Sequence, residues 1–326
     1  MKKVLITGGC GFIGSHLAEK LIRLRYKVII LDNLSTGRLE NIKEFKNKIS
    51  FFKADISKLK QIDRYFKNID IVFHCAALAD IVPSIQNPKD YYNSNVTGSF
   101  NVVSCCIKHN VKKIIYTASS SCYGITNKTP TKEDEKINPE YPYALTKYLG
   151  EQIILHWSKV YKIKSISLRL FNVYGPRSRT SGTYGAMFGI FLAQKIFSHP
   201  YTVVGNGQQA RDFTYISDIV DVLIKASKSN LTQEIFNIGS GRSVSVNYIV
   251  KLLKGKKIRI PKRPGEPEIT FADITKVKKK LKWKPKIKIE KGIELLLKNL
   301  NYWKSAPVWT PKKIAIATKD WFKYLK

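Results

Sequence analysis

The first half of the chain alternates short apolar runs with segments whose apolar residues recur at helical spacing. Lys3-Val4-Leu5-Ile6 is a β-branched run that reads as a buried strand. Further strands are expected at 27–31, 49–54, 69–74, 113–117 and 165–170. Between the first two, the segment 15–22 puts Leu17, Leu21 and Leu24 on one helical stripe. Helices are also expected to begin near Asn95 and at Pro142. Strand alternating with helix predicts an α/β fold with a parallel, doubly wound sheet. Small residues at a strand end, Cys75-Ala76-Ala77-Leu78-Ala79, leave room for a ligand at the carboxyl edge of that sheet. His74 lies inside a strand and reads as a packed core residue.

The turn after the first strand sharpens this picture. Thr7-Gly8-Gly9-Cys10-Gly11-Phe12-Ile13-Gly14 joins strand to helix with G-x-x-G-x-x-G spacing. Gly8 permits a tight turn, Gly11 lets the backbone approach a pyrophosphate, and Gly14 seats the helix close on the sheet. The amides at the helix start, where Phe12 and Ile13 lie, would hold phosphates. The second strand ends at Asp32, roughly twenty residues on, where a ribose 2′-hydroxyl partner belongs. A carboxylate there repels a 2′-phosphate, so the expected cofactor is NAD rather than NADP. Asn33, Ser35 and Gly37 sit in a polar loop placed to wrap the adenosine ribose. Asp55 would accept from the adenine amino group while Ile56 packs on the ring; Asp55 also suits an N-cap for the segment from Ser57.

A third cluster carries reaction chemistry. The strand at 113–117, with Thr117 at its end, runs into Ala118-Ser119-Ser120-Ser121-Cys122-Tyr123-Gly124. Hydroxyls there could hydrogen-bond a reacting oxygen. Tyr143 and Lys147 are four apart on the helix from Pro142, so they share a face. The ammonium, with a positive nicotinamide, is expected to lower the phenol pKa toward the working pH, making Tyr143 a base for a sugar hydroxyl.

Together these residues resemble an extended short-chain dehydrogenase/reductase of the sugar-nucleotide epimerase/dehydratase family. The resemblance covers about residues 1 to 300. It rests on the glycine motif, Asp32-Asn33-Leu34, Asp55-Ile56, His74-Cys75-Ala76-Ala77, Asn95, Ser119, Tyr143 with Lys147, Asn172 and Arg211. It implies a Rossmann-type NAD domain at 1–170 and a smaller, mainly substrate-binding lobe at 171–300, interleaved with the last sheet strands. A helical extension would occupy 301–326, either docked or making an oligomer contact. The resemblance implies Ser119, Tyr143 and Lys147 as catalytic residues. Ala76, Ala77, Asn95 and Thr117 join the cofactor site. Ser121, Asn172, Val204, Arg211, Arg263, Glu266 and Thr270 line the substrate, with both arginines on a diphosphate and Glu266 on a ribose. Asp218 is expected to cap the next helix, and Asp273 to start another.

Within the family, dehydratases follow the catalytic hydroxyl with an Asp-Glu pair. Ser120-Ser121 stands there instead, which disfavours loss of water. The activity implied is C4 epimerisation of a UDP-hexose or UDP-N-acetylhexosamine through a transient 4-keto sugar. A UDP-glucuronate decarboxylase or epimerase would share nearly every motif. An inactive nucleotide-sugar-binding regulator is the non-enzyme alternative, and the intact Ser119, Tyr143 and Lys147 argue against it. The family usually forms homodimers.

Charge changes little. The 326 residues carry a net charge of +33, mostly lysine spread along the chain. No helix-turn-helix, zinc finger or ribonucleoprotein signature accompanies it, so no nucleic-acid partner is expected. A basic surface also attracts doubly anionic small substrates. With no long apolar run and no signal-peptide start, a cytoplasmic protein without membrane association is expected. Five cysteines lack metal-ligand spacing or a paired framework and read as reduced thiols, with no metal.

Overall fold

The six expected strands form in the computed structural model, which describes residues 1–126, 128–178 and 187–325. They are β1 (Lys3–Thr7), β2 (Lys27–Asp32), β3 (Ser50–Lys53), β4 (Ile71–His74), β5 (Lys113–Ser119) and β6 (Lys164–Leu170). Seven more follow among the described residues: β7 (Asn172–Tyr174), β8 (Tyr201–Val204), β9 (Ala210–Tyr215), β10 (Glu234–Ile238), β11 (Ser243–Ser245), β12 (Lys257–Ile260) and β13 (Ile269–Thr270).

Seven strands build one sheet in the order β10-β6-β5-β4-β1-β2-β3, every neighbouring pair parallel. Successive side chains of a strand point to opposite faces. Accordingly Val4, Ile6, Val28, Ile30, Ile71 and Phe73 enter one core, while Leu5, Ile29, Leu31, Val72 and Ile114 enter the other. Both faces are covered, which explains the near-continuous apolar runs. The strand order reverses between β1 and β4, so the loops after them flank the crevice where such sheets take ligands.

The first helix runs Phe12–Arg23 and buries Leu17 and Leu21. Leu24 departs from the expected stripe: it is 38% exposed, because the helix ends at Arg23 and the chain turns there. The helix from Pro142 spans Pro142–Val160, with the proline in its first turn. Residues near Asn95 form one π-type turn, Asn93–Thr97, before the helix Gly98–Lys108.

Beyond β6, strand β9 is the hub of a smaller lobe and pairs with β7, β11 and β13. Asp212 on β9 is fully buried and accepts from the Ser240 hydroxyl (2.6 Å), Gly241 N (3.0 Å) and Ala272 N (3.1 Å). One carboxylate thus ties three segments together. Asp218 does not cap its own helix, Ile216–Lys228. Its carboxylate accepts from Lys286 N (3.0 Å) and Ile287 N (2.9 Å), far along the chain. Asp273 accepts from Thr275 N at 2.8 Å, at the start of the helix Thr275–Leu281.

After residue 300 come a tight turn, Leu300–Trp303, and helices Pro311–Ala317 and Lys319–Tyr324. Trp303 and Trp321 are buried, and Tyr302 donates to Asn41 Oδ1 at 3.0 Å. The tail is docked on the body of the protein. Among the described residues, no helix is long and apolar enough to cross a membrane.

Candidate active site

The glycine turn is built for close approach. Gly8 has φ +71°, and a Cβ there would lie 2.7 Å from the Ala76 backbone on the facing loop. A Cβ on Gly14 would meet Gly8 O at 2.2 Å, so the helix can seat on the turn only with glycine. The helix then begins at Phe12-Ile13, aiming its first amides into the crevice. Gly11 stands just before it.

Asp32 ends β2 only 7% exposed, its oxygens accepting from Cys10 N (2.9 Å) and Leu34 N (2.8 Å). Burial raises its pKa while those two amides pull it back. Gly37 lies against that carboxylate: a Cβ would come within 2.7 Å of both oxygens. Asn33 Oδ1 accepts from Ser35 N at 3.0 Å, shaping the loop between. This glycine cradle with a carboxylate at the end of β2 fits a dinucleotide.

On the other side of the crevice, the Asn95 amide is engaged at both ends. It bonds Leu78 N (2.8 Å), Leu78 O (3.0 Å) and the Thr146 hydroxyl (3.1 Å). Asn95 therefore fixes the loop carrying Ala76 and Ala77. Asp55 makes a turn, accepting from Ser57 N at 2.9 Å, and the following helix, Leu59–Ile62, starts later than expected. Ile56 packs against Gly98 and accepts from the Asn101 amide at 2.9 Å. His74 is fully buried, with Nδ1 2.7 Å from the Thr7 hydroxyl and Nε2 3.0 Å from the Ser99 hydroxyl. Burial first, then Lys147, lowers its pKa to about 3, so it stays neutral as a core residue.

The end of β5 and the helix Pro142–Val160 bring the three expected reactive groups together. Ser119 ends β5; its hydroxyl lies 2.7 Å from that of Ser121 and accepts from Ser121 N, and it is close enough to Tyr143 to lower the phenol pKa. Gly124 closes this serine turn at φ +63°, where a Cβ would strike Asn138 O. Lys147 Nζ donates to Thr117 O at 2.7 Å and lies 4.3 Å from the Tyr116 ring centre. The Thr117 hydroxyl donates to His74 O at 3.0 Å.

The electrostatics differ from the sequence expectation. Burial raises the Tyr143 phenol above its ordinary value; the Ser119 hydrogen bond lowers it, and Asp80 and Cys122 add to the rise. The Lys147 Nζ is turned to Thr117 O and the Tyr116 ring. Lys147 is itself pulled by burial to about 7, against the opposing charges of Cys75 and Glu151.

That shift carries a stability consequence. Between pH 7 and the ordinary lysine value of 10.5, the folded chain binds fewer protons at Lys147 than the unfolded chain. Stability therefore rises with pH across this window and its Lys147 contribution is flat below it. In urea unfolding, wild type should gain on Lys147→Met between pH 7 and 9, by at most about 1.4 kcal/mol per unit. An unchanged offset between the two proteins would refute this.

Three residues that sequence reasoning passed over hold the catalytic helix in place. Glu151, one turn beyond Lys147, receives Arg169 Nη2 (2.7 Å) and the Ser167 hydroxyl (2.7 Å) from β6, all fully buried. Arg169 also reaches the Tyr123 hydroxyl at 2.8 Å, linking helix, sheet and serine turn. The signal available was a charged residue on the buried stripe of an apolar helix, with an arginine in mid-strand.

Of the residues expected on the substrate side, Arg211 lies on β9, and Asn172 and Thr270 on strands paired with it. Arg211 Nη2 donates to Glu266 Oε1 at 3.0 Å, and its Nη1 to Ala210 O and Glu268 O. Arg263 lies 3.8 Å from the other Glu266 oxygen. Glu266 thus stands between the two arginines. Thr270 pairs with Arg211 across β13 and β9 and is half-buried. Asn172 lies exposed on β7 opposite Phe213, and Val204 ends β8.

The family profile described as NAD dependent epimerase/dehydratase matches residues 4–239. The chain belongs to this family. Among the epimerase/dehydratase relatives, a Methanocaldococcus jannaschii protein provisionally named UDP-glucose 4-epimerase is 38% identical, covering 89% of this chain and 96% of its own. A Thermodesulfobacterium geofontis UDP-glucuronate 4-epimerase is 34% identical over 89% of this chain and 93% of its own. The structure of a Methanobrevibacter ruminantium UDP-N-acetylglucosamine 4-epimerase superposes with a TM-score of 0.85 at 31% identity, covering 91% of this chain and 99% of that one. Membership carries NAD dependence and the Rossmann-type sheet with it.

Proposed function

We propose that this chain inverts C4 of a UDP-hexose or UDP-N-acetylhexosamine. The carrying observation is that Ser119, Tyr143 and Lys147 come together at the carboxyl edge of the sheet, at the end of β5 and two strands from the glycine cradle. Lys147 Nζ is anchored on Thr117 O, and Ser119 is close enough to lower the pKa of the Tyr143 phenol. Gly8, Gly11, Gly14, Phe12, Ile13, Asp32 and the loop to Gly37 would hold the cofactor on one side. Asn95, Ala76, Ala77, Thr117 and Lys147 would hold it on the other. Bound NAD supplies a redox couple that takes hydride from C4 and returns it, so there is no net oxidation.

Tyr143 takes the proton of the sugar 4-hydroxyl and gives it back when the ketone is reduced. Ser119 hydrogen-bonds the same oxygen and keeps it directed at the phenol. Arg211 and Arg263 exchange Glu266 for the substrate diphosphate, gripping that end while the keto sugar turns over. Ser120 and Ser121 offer no carboxyl group to expel water, so dehydration does not compete. The supporting relatives are named for glucose, glucuronate and N-acetylglucosamine substrates, which leaves the sugar to experiment. Incubating the purified protein with a panel of UDP-sugars and reading products by proton NMR tests the activity; no C4 epimer from any of them would refute it.

Within the panel, the width of the sugar pocket turns on Thr270. It is small, as is Ala79, the residue expected on the other wall, so room would remain for an N-acetyl group at C2. UDP-N-acetylglucosamine is expected to turn over at least as well as UDP-glucose. Thr270→Tyr should selectively remove the acetylated activity. Equal losses on both sugars would mean that Thr270 matters only as the strand residue paired with Arg211.

A further inference from the structure

The Arg263–Glu266 turn carries a layer from the far end of the chain. Trp321, 4% exposed, lies with its ring centre 5.2 Å from the Arg263 guanidinium carbon. Its indole Nε1 donates to Pro264 O at 2.8 Å. Leu325 closes on the same turn: a Cβ on Gly265 would lie 3.9 Å from Leu325 Cβ. From the adjoining position on the same helix, Lys319–Tyr324, Asp320 Oδ2 accepts from Gln86 Nε2 at 2.9 Å. Gln86 ends the helix Ile81–Gln86, which follows the cofactor-side loop 75–79.

A six-residue helix has no appreciable stability of its own. What holds it is Trp321 against the substrate turn and Asp320 against the cofactor-side helix. We propose that this C-terminal helix is a strap across the mouth of the active site, and that Trp321 is a positioning residue that presents Arg263 to the substrate diphosphate. The inference rests on the reading of Arg263 as a diphosphate ligand. A guanidinium stacked on an aromatic face loses rotational freedom along its long side chain before the anion arrives. Binding then costs less ordering of that side chain, which raises affinity without touching the reacting atoms. The effect belongs in KM and not in kcat.

The test is UDP binding by titration calorimetry on the NAD-loaded full chain, together with steady-state kinetics. Trp321→Ala should weaken UDP about tenfold, the scale of a partly desolvated cation–π contact, and raise KM likewise. Turnover should stay within about twofold. Trp321→Leu keeps apolar filling without a π face and should behave like Trp321→Ala, guarding against an unfolded tail. Trp321→Phe retains the face and should recover most of the affinity. In an Arg263→Ala background, Trp321→Ala should add less than about twofold. If Arg263→Ala weakens UDP while Trp321→Ala and Trp321→Leu do not, the strap is wrong and the diphosphate reading stands. Full, additive losses in the double variant would also overturn it. If neither Arg263→Ala nor Trp321→Ala changes UDP affinity in an active enzyme, the diphosphate reading of Arg263 falls as well.

Discussion

Tyr143→Phe is expected to lower turnover at least about a hundredfold, the scale for a removed general base, while NAD stays bound. The variant keeps the ring, its edge-on contact with Tyr91 and its stacking with Tyr141. Only the hydroxyl is lost, and with it the group whose pKa Ser119 lowers. The loss should therefore appear in kcat with little change in fold or in cofactor content. Burial holds the phenol up and Ser119 lowers it, so the proposed base would draw on Ser119 and on the charge of the bound cofactor. Ser119→Ala should then lose activity in the same parameter, by a smaller factor. Initial rates and the ratio of protein-bound NAD to protein check both. Normal epimerisation by Tyr143→Phe would remove Tyr143 from the chemistry.

Breaking the Glu151–Arg169 pair should cost about 3–5 kcal/mol of stability. Both side chains are almost completely buried, and Glu151 accepts from Arg169 Nε and Nη2 and from Ser167. Glu151→Ala leaves an arginine charge inside the protein with no carboxylate to meet it. The helix that carries Tyr143 and Lys147 then loses its tie to β6, so activity should fall together with stability. A double replacement, Glu151→Leu with Arg169→Met, removes both charges and should recover at least half of the lost stability, because well-packed apolar substitutes for a buried pair are often nearly neutral. Equilibrium denaturant unfolding measures the three proteins. A loss below about 1 kcal/mol in Glu151→Ala would show that the pair contributes little.

These two predictions differ in how visible their residues were in the sequence. Tyr143 and Lys147 belong to a local pattern: four residues on one helix necessarily share a face. The glycine turn is legible for the same reason. The positive φ of Gly8 and the contact of Gly14 with Gly8 O both arise within one strand-turn-helix unit. The parallel sheet follows from apolar runs alternating with helical spacing, and its two cores follow from the period of two along each strand.

What only the tertiary structure decided lies between segments distant in the chain. Glu151 meets Arg169 across a helix–sheet contact, and Asp212 gathers amides from two later segments. Glu266 stands between Arg211 and Arg263 because β13 brings their segments alongside β9. Lys147 turns toward Thr117 O and the Tyr116 ring, and burial raises the Tyr143 phenol. The tail, whose apolar residues suited a docked helix or an oligomer contact, packs on the turn that holds Arg263 and Pro264. The physical reason is the same throughout. Backbone geometry sets periodicity within a segment, so local motifs can be read from spacing alone. Burial and the partner of a charged side chain are set by which segments pack together, and spacing along one segment does not carry that.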